Sequence, residues 1–246
     1  MKRFSKKYII DYYQVGADRS LTLQSLMNII QDIASDHAKI LGFGQDELDV
    51  DTFWVLVRLQ LQMNKLPQWR DEIRLETYIS NQFTGTPPRE VLIYANNELI
   101  GKAQTSWLVL SAETRKPATQ KIDELLEAGI DESCGVVTRK INLSGHSLSL
   151  VREFEVLYSD LDLNYHVNNA IYGKWVSDSV PVKYWKDWQL HEFGINFMSE
   201  VHLGQKVVIK SEVKEADDIL EILVSGSVAE KEKAAFAASI KLTKRI

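Results

Sequence analysis

Cysteine is nearly absent. Cys134 is the only one in 246 residues, which excludes an intrachain disulfide framework and any four-cysteine zinc site. A lone thiol suits a reducing compartment. Proline (5) and glycine (12) are scarce, so collagen-like, linker-rich and low-complexity organisation are excluded too. Basic residues are in deficit: 29 Lys and Arg against 34 Asp and Glu leave a net charge of −5. Without a cationic excess to meet phosphates, general nucleic-acid binding is not expected. No stretch of about eighteen apolar residues occurs, so no transmembrane helix and no membrane association are expected. Lys2, Arg3, Lys6 and Lys7 precede only Tyr8 to Ile10 before Asp11 intervenes, too short for a signal peptide. The expectation is a soluble, cytoplasmic protein. What the chain does have is apolar content, at 45% hydrophobic against 26% charged, enough for one large core or two modest ones.

Periodicity divides the chain. Tyr8 to Val15 has strand character. Leu23, Leu26, Met27, Ile30, Ile33 and Ala34 then recur at helical spacing over about twenty residues, with Asp18 or Ser20 as cap, Lys39 in the last turn and Gly42 as stop. The period next changes to two: Val55, Val57, Leu59, Leu61 and Met63 alternate with their neighbours, and Ile73, Leu75, Thr77 and Ile79 repeat this. Further strands are expected near 90–95 and 99–111, with turns at Pro67, Asn81, Pro87–Pro88 and Asn96–Asn97. Residues 112–148 break the rhythm and read as a connection, with a helical patch from Ile122 to Ala128. The order then restarts: a strand around Arg152, Phe154 and Val156, a polar turn, a helix from Asn168 to Val180, a short helical stretch opened by Pro181, and strands near 193–201, 205–214, 218–228 and 234–244. A duplicated unit is the economical reading: set back by 142 residues, Asp160 falls on Asp18, Leu163 on Leu21 and Tyr172 on Ile30, and with a different offset Val207–Ile209–Ser211 falls on Ile73–Leu75–Thr77. The fold class is α+β, each repeat a curved antiparallel sheet wrapped around a long central helix, the two sheets joined side by side. Boundaries fall at 1–130, 131–148 and 149–246.

The segment Ser159 to Tyr172, SDLDLNYHVNNAIY, carries the chemistry. Asp160, Asp162, Asn164, His166 and Asn168 stand two apart with apolar residues between, which in an extended segment puts the polar groups on one side. A helix starts directly after, so backbone N–H groups and the positive helix end lie near His166, suitable for an oxyanion. Asn168 alone also fits an ordinary helix N-cap. A calcium loop is disfavoured by Tyr165 where Gly belongs and Ile171 where Glu belongs. A transition-metal site is disfavoured because His166 has no His at helical spacing. No G-x-S-x-G occurs, and Cys134 has no adjacent His, so a nucleophilic triad is not supported. Asp36 and His37, at the end of the first helix, are conceivable catalysts that also fit a structural role.

SDLDLNYHVNN resembles the signature of the fatty acyl-ACP thioesterases, a tandem double hot-dog family. Tyr13–Val15, the helical LMNIIQDIASDHA (Leu26 to Ala38) and GKAQTSWLVLSAETRKPA (Gly101 to Ala118) resemble the family's first-half blocks. The resemblance implies hydrolysis of fatty acyl-ACP to free fatty acid and carrier protein, with a catalytic network of Asp162, Asn164, His166 and Glu200. It implies no metal and no cofactor. Plant members carry a Cys after that Glu; Val201 stands here, so water is the implied nucleophile. Opposite Asp162, Asn164 and His166, the offset of 142 puts Ser20, Thr22 and Gln24, so one active site per chain is expected. Met27 and Ile30 are candidates for the acyl tunnel. The implied partner is the acyl carrier protein, an acidic protein that a net-negative chain must meet through a local basic patch, with Lys183 and Lys186 the first choice. A homodimer is compatible with the sequence. The alternatives are an acyl-CoA thioesterase using the same site, or a non-catalytic acyl-chain binder, against which the intact Asp162–Asn164–His166 set argues. A hot-dog dehydratase is disfavoured by the lack of a Gly/Pro-rich loop around the His.

Overall fold

A computed structural model describes residues 2–48, 51–83, 87–117, 122–230 and 234–245. Ala118, which ends the Gly101 block, lies outside the described residues. The first half comprises β1 (Arg3–Ile9), α1 (Leu23–Ile40), β2 (Thr52–Met63), β3 (Glu72–Ile79), β4 (Pro88–Ala95) and β5 (Glu98–Ser111). After α2 (Ile122–Ala128), the second half comprises β6 (Ser149–Glu155), α3 (Asn169–Ser177), β7 (Trp188–Phe197), β8 (Lys206–Ala216), β9 (Ile219–Val228) and β10 (Ala234–Lys244). The strands form one antiparallel sheet in the order β1-β3-β4-β5-β2-β7-β10-β9-β8-β6. Outward from the centre, β2 matches β7, β5 matches β10, and so on to the two edges. The seam is β2 against β7, with Arg58 opposite Asn196 and Gln62 opposite Glu192. This is the pair of joined sheets that the repeat implied, and the tandem hot-dog arrangement that the resemblance implied.

The 18 residues of α1 span about 27 Å and press Leu26, Ile30 and Ile33 into the core at 0–1% exposure. Truncating one of these to Ala removes about 2–5 kcal/mol. α1 also packs on α3, and Gly173 sets how closely: a Cβ there would stand 2.6 Å from Met27 Sδ and 3.3 Å from Leu23 Cγ. Met27 and Ile30 are therefore part of the helix–helix and helix–sheet core.

Several local expectations give way to turn chemistry. β1 stops at Ile9, and Tyr12–Gln14 form a 3-10 turn closed by Gln14 N–H donating to Asp11 O at 3.1 Å. Thr22, not Asp18 or Ser20, caps α1, its hydroxyl accepting from Ser25 N at 3.1 Å. In β2 a bulge between Leu56 and Arg58 switches the face, so Leu56 is buried in place of Val55 and Val57. α3 has nine residues and ends at Ser177, half the length of α1. Pro181 and the restriction it places on Val180 stop it before the expected end. β7 begins at Trp188 and leaves the ladder after Phe197, because Met198 and Ser199 N–H groups both donate to Ala235 O. Glu200 thus lies in a loop beyond the strand rather than on it.

The connection crosses the sheet face opposite α1. Thr138 N–H donates to Gln104 Oε1 at 2.8 Å, Ile141 N–H to Asn196 Oδ1 at 2.7 Å, and Asn196 Nδ2 to Arg139 O at 2.9 Å. Glu90, Gln104 and Asn196 alternate as solvent-face residues do, yet all three are buried because this segment covers them. Cys134 is buried in the same layer, where desolvation and neighbouring Glu90 push its thiol up to about 12. Among the described residues, no helix is long and apolar enough to cross a membrane.

Candidate active site

The turn that enters α3 is closed, not extended. Leu161 bridges to Val167, Asp162 N–H donates to His166 O at 2.8 Å, and Tyr165 N–H donates to Asp162 O at 3.1 Å. Asp162 Oδ1 accepts from Asn164 N at 2.8 Å and, more weakly, from His166 N at 3.4 Å. A carboxylate that captures backbone N–H groups two and four residues on competes with strand formation, which is why the alternation fails here. Tyr165 takes φ 59°, and Leu163 is 98% exposed instead of packing opposite the polar set.

This turn delivers His166 to the segment that follows β7. His166 forms a bridge with His202, and Val167 N–H donates to Val201 O at 3.0 Å. Across this short ladder Glu200 Oε2 lies 3.6 Å from His166 Nε2, and the two imidazoles meet edge to face with centroids 4.9 Å apart. Arg115 Nη1 donates to Glu200 Oε1 at 2.9 Å and fixes the carboxylate's direction. Asn168 caps α3, its Oδ1 accepting from Ala170 N at 2.8 Å.

Asp162, Asn164, His166 and Glu200 all line one cavity of about 1110 Å³. Asn164 is exposed at it, and among the described residues its side chain has no hydrogen-bond partner. α1 contributes Gln31, Ala34, Ser35 and Ala38 to the wall, not the expected Met27 and Ile30, which face the core. His37 is fully buried with Nδ1 2.7 Å from Arg89 Nη1, and Asp36 accepts from Lys6 Nζ at 2.7 Å, so neither reaches the cavity. Lys183 and Lys186 are exposed beyond the C-terminal end of α3, whereas the His166 turn sits at its N-terminal end.

Three further residues belong here that sequence reasoning did not single out. Arg115 lies in the turn after β5 and meets Glu200 only through the fold. His202 follows Glu200 by two residues, a spacing that signals a shared side. Tyr172 stands four residues after the cap Asn168, on the same helix face, and that spacing was legible. Tyr172 is 3% exposed, clamped edge-on by Phe197 and Phe236 at 5.1 and 5.2 Å, and lines the cavity. Burial first, then the Asp162 and Glu200 charges, raise its phenol, which stays a neutral hydrogen-bond donor.

The two turns that enter the helices match at an offset of 146, not 142. Arg19 and Tyr165 share the positive φ, Thr22 and Asn168 share the cap, and Val15–Leu21 matches the Leu161–Val167 bridge. Gly16, Asp18 and Ser20 therefore stand opposite Asp162, Asn164 and His166, displacing the expected Ser20, Thr22 and Gln24. The Ser20–Gln68 bridge corresponds to His166–His202, which puts Leu66 opposite Glu200.

A ten-stranded sheet folded over two helices, with a carboxylate–imidazole pair at the wall of a large cavity, defines a double hot-dog protein with a candidate hydrolytic site. The comparisons narrow this to a family. Residues 1–128 match the acyl-ACP thioesterase N-terminal domain and residues 145–241 the acyl-ACP thioesterase C-terminal domain; the chain belongs to the acyl-ACP thioesterase family. It is 24% identical over 252 residues to the chloroplastic oleoyl-acyl carrier protein thioesterase of Coriandrum sativum, covering 92% of this chain and 63% of that one. It is 28% identical over 226 residues to the chloroplastic palmitoyl-acyl carrier protein thioesterase of Arabidopsis thaliana, covering 85% of this chain and 54% of that one. The chain thus spans less than two thirds of these curated relatives. Among solved structures, the 12:0-ACP thioesterase from Umbellularia californica shares the fold, with a TM-score of 0.86 at 21% identity, covering 99% of this chain and 94% of that one.

Proposed function

We propose that the protein hydrolyses fatty acyl-ACP thioesters to free fatty acid and carrier protein, so ending chain elongation. The observation that carries this is the placement of His166 and Glu200, 3.6 Å apart, at the wall of a cavity of about 1110 Å³ in a member of this family. A water between His166 Nε2 and Glu200 Oε2 attacks the thioester carbon and passes its proton to this pair. The carbonyl oxygen becomes an oxyanion facing the Tyr172 hydroxyl, the Asn164 amide and the first turn of α3. Collapse expels the thiolate, which takes up the proton, leaving the carboxylic acid and the carrier's thiol. Asp162 holds the turn that presents His166, and Arg115 holds Glu200. Neither step uses Cys134, which is buried in the connection.

In this reading residues 149–246 form the catalytic repeat, 1–130 the structural and acyl-binding repeat, and 131–148 the connection. The acyl carrier protein is the partner, and Arg115 is the cation that lines the cavity beside Glu200. Free-thiol release from matched acyl-ACP and acyl-CoA substrates tests the proposal. It expects turnover with a higher kcat/KM on acyl-ACP. Equal or better use of acyl-CoA would make the protein an acyl-CoA hydrolase, and acyl binding without thiol release would make it a binder.

A further inference from the structure

One group at the edge of this cavity exceeds what thioester hydrolysis asks for. His166, Glu200 and His202 each offer a ligand atom, and the three atoms lie within 4.8 Å of one another. Around a tetrahedral zinc with bonds of about 2.0–2.2 Å, donor atoms stand roughly 3.3–3.6 Å apart. His166 Nε2 and Glu200 Oε2, at 3.6 Å, already have that spacing. His202 closes the triangle by a side-chain movement of about 1 Å on the same scale. Its backbone is held beside His166 by the antiparallel bridge, and its N–H donates to Gln205 Oε1 at 3.0 Å. Arg115 occupies Glu200 Oε1 and leaves Oε2 to face His166.

We propose that His166, Glu200 and His202 form a reversible zinc site, and that zinc bound there inhibits the enzyme. Two imidazoles and one carboxylate favour Zn²⁺ over the oxygen-seeking Mg²⁺ and Ca²⁺. Three ligands leave a fourth position open, and His166 and Glu200 line the cavity, the pattern of an accessible site rather than a closed structural one. Inhibition follows because the metal takes the lone pairs of His166 and Glu200 that the proposed hydrolysis needs; this consequence rests on that reading, while the binding itself does not. The first half has the same backbone but carries Ser20, Leu66 and Gln68 at these places, and offers no such set.

The test is calorimetric titration of the full chain with Zn²⁺ in chelator-free buffer, alongside turnover of a short synthetic acyl thioester. The informative variant is His202→Gln, which installs the residue the first half uses at the same bridge. The wild type should bind one Zn²⁺, lose turnover in parallel, regain it with EDTA, and ignore Mg²⁺. In His202→Gln the Zn²⁺ binding heat should weaken by roughly a hundredfold, as on loss of a metal ligand, whatever the variant's metal-free turnover. His166→Ala should also lose the binding heat, a readout that needs no activity. Absence of a binding heat in the wild type, or an unchanged one in His202→Gln, overturns the site. Binding that leaves turnover intact, or raises it, overturns the inhibition. If the protein hydrolyses no thioester at all, the heats still decide the site on their own.

Discussion

The turns at 15–22 and 161–168 are built on one backbone and do different things. Each closes with a bridge across its base, places one non-glycine residue at positive φ, and ends on a polar side chain that caps a helix. Each also lies against a segment arriving from the central strand of its own half, through Ser20–Gln68 in one case and His166–His202 in the other. The side chains diverge. In the first turn Ser20 Oγ accepts from Gln68 Nε2 at 2.9 Å, Asp18 pairs with Arg245, and Leu66 is buried. In the second, an imidazole and a carboxylate face each other at the edge of a cavity. The first turn satisfies its polar groups internally and serves as structure. The second leaves them facing the cavity, where unspent hydrogen-bonding capacity becomes available to a ligand. The scaffold supplies the geometry, and in the proposed reading a few side chains decide whether it serves as structure or as a reaction centre.

The largest expected effect comes from making the second turn resemble the first. Replacing His166 by Ser should lower kcat by roughly a hundredfold or more while the melting temperature holds, the loss expected for an acid–base element. Near-normal turnover would break the comparison. Tyr172→Phe sharpens it: removing only the hydroxyl should lower kcat by about tenfold to a hundredfold with KM little changed, as for one oxyanion donor. A change in stability alone would return Tyr172 to the core. Smaller effects fall on the shared caps. Thr22→Ala and Asn168→Ala should each cost about 1 kcal/mol in urea denaturation, because each leaves a helix N–H without its side-chain acceptor. Only Asn168→Ala should also slow thiol release, since only that cap borders the reacting groups. The smallest effect is expected at Cys134. Its thiol is raised to about 12, so it stays protonated through neutral and mildly alkaline pH, where the thiolate is the reactive form. Iodoacetamide at pH 8 should leave both Cys134 and turnover untouched in the folded protein, and Cys134→Ser should remain active. Loss of activity in a folded Cys134→Ser would require a different nucleophile.

Much of this architecture was legible beforehand. The switch from period 3.6 to period 2, occurring twice, set the duplicated strand–helix–sheet order and the single continuous sheet. Leu26, Ile30 and Ile33 could be read as core from spacing alone. What spacing could not reach were places where side chains capture backbone. Asp162 folds a segment that alternates like a strand into a turn, and the bulge at Leu56–Arg58 reverses the face of β2. In the turns the register differs by four from the one read off side-chain identity, because what the two turns share is backbone conformation at Arg19 and Tyr165. Asp162, Asn164, His166 and Glu200 do line one cavity, but Arg115, 85 positions before Glu200, reaches it only through the fold.

The central claim is that the reaction centre lies in the second half and needs the carboxylate that the first half replaces with Leu66. Steady-state thiol release from a medium-chain acyl-ACP by Glu200→Leu, beside wild type and Leu66→Glu, tests this directly. The account predicts a loss of roughly a hundredfold or more in Glu200→Leu with its cooperative unfolding retained, and in Leu66→Glu a folding defect from a buried charge without any gain of turnover. Wild-type turnover in a folded Glu200→Leu would contradict it.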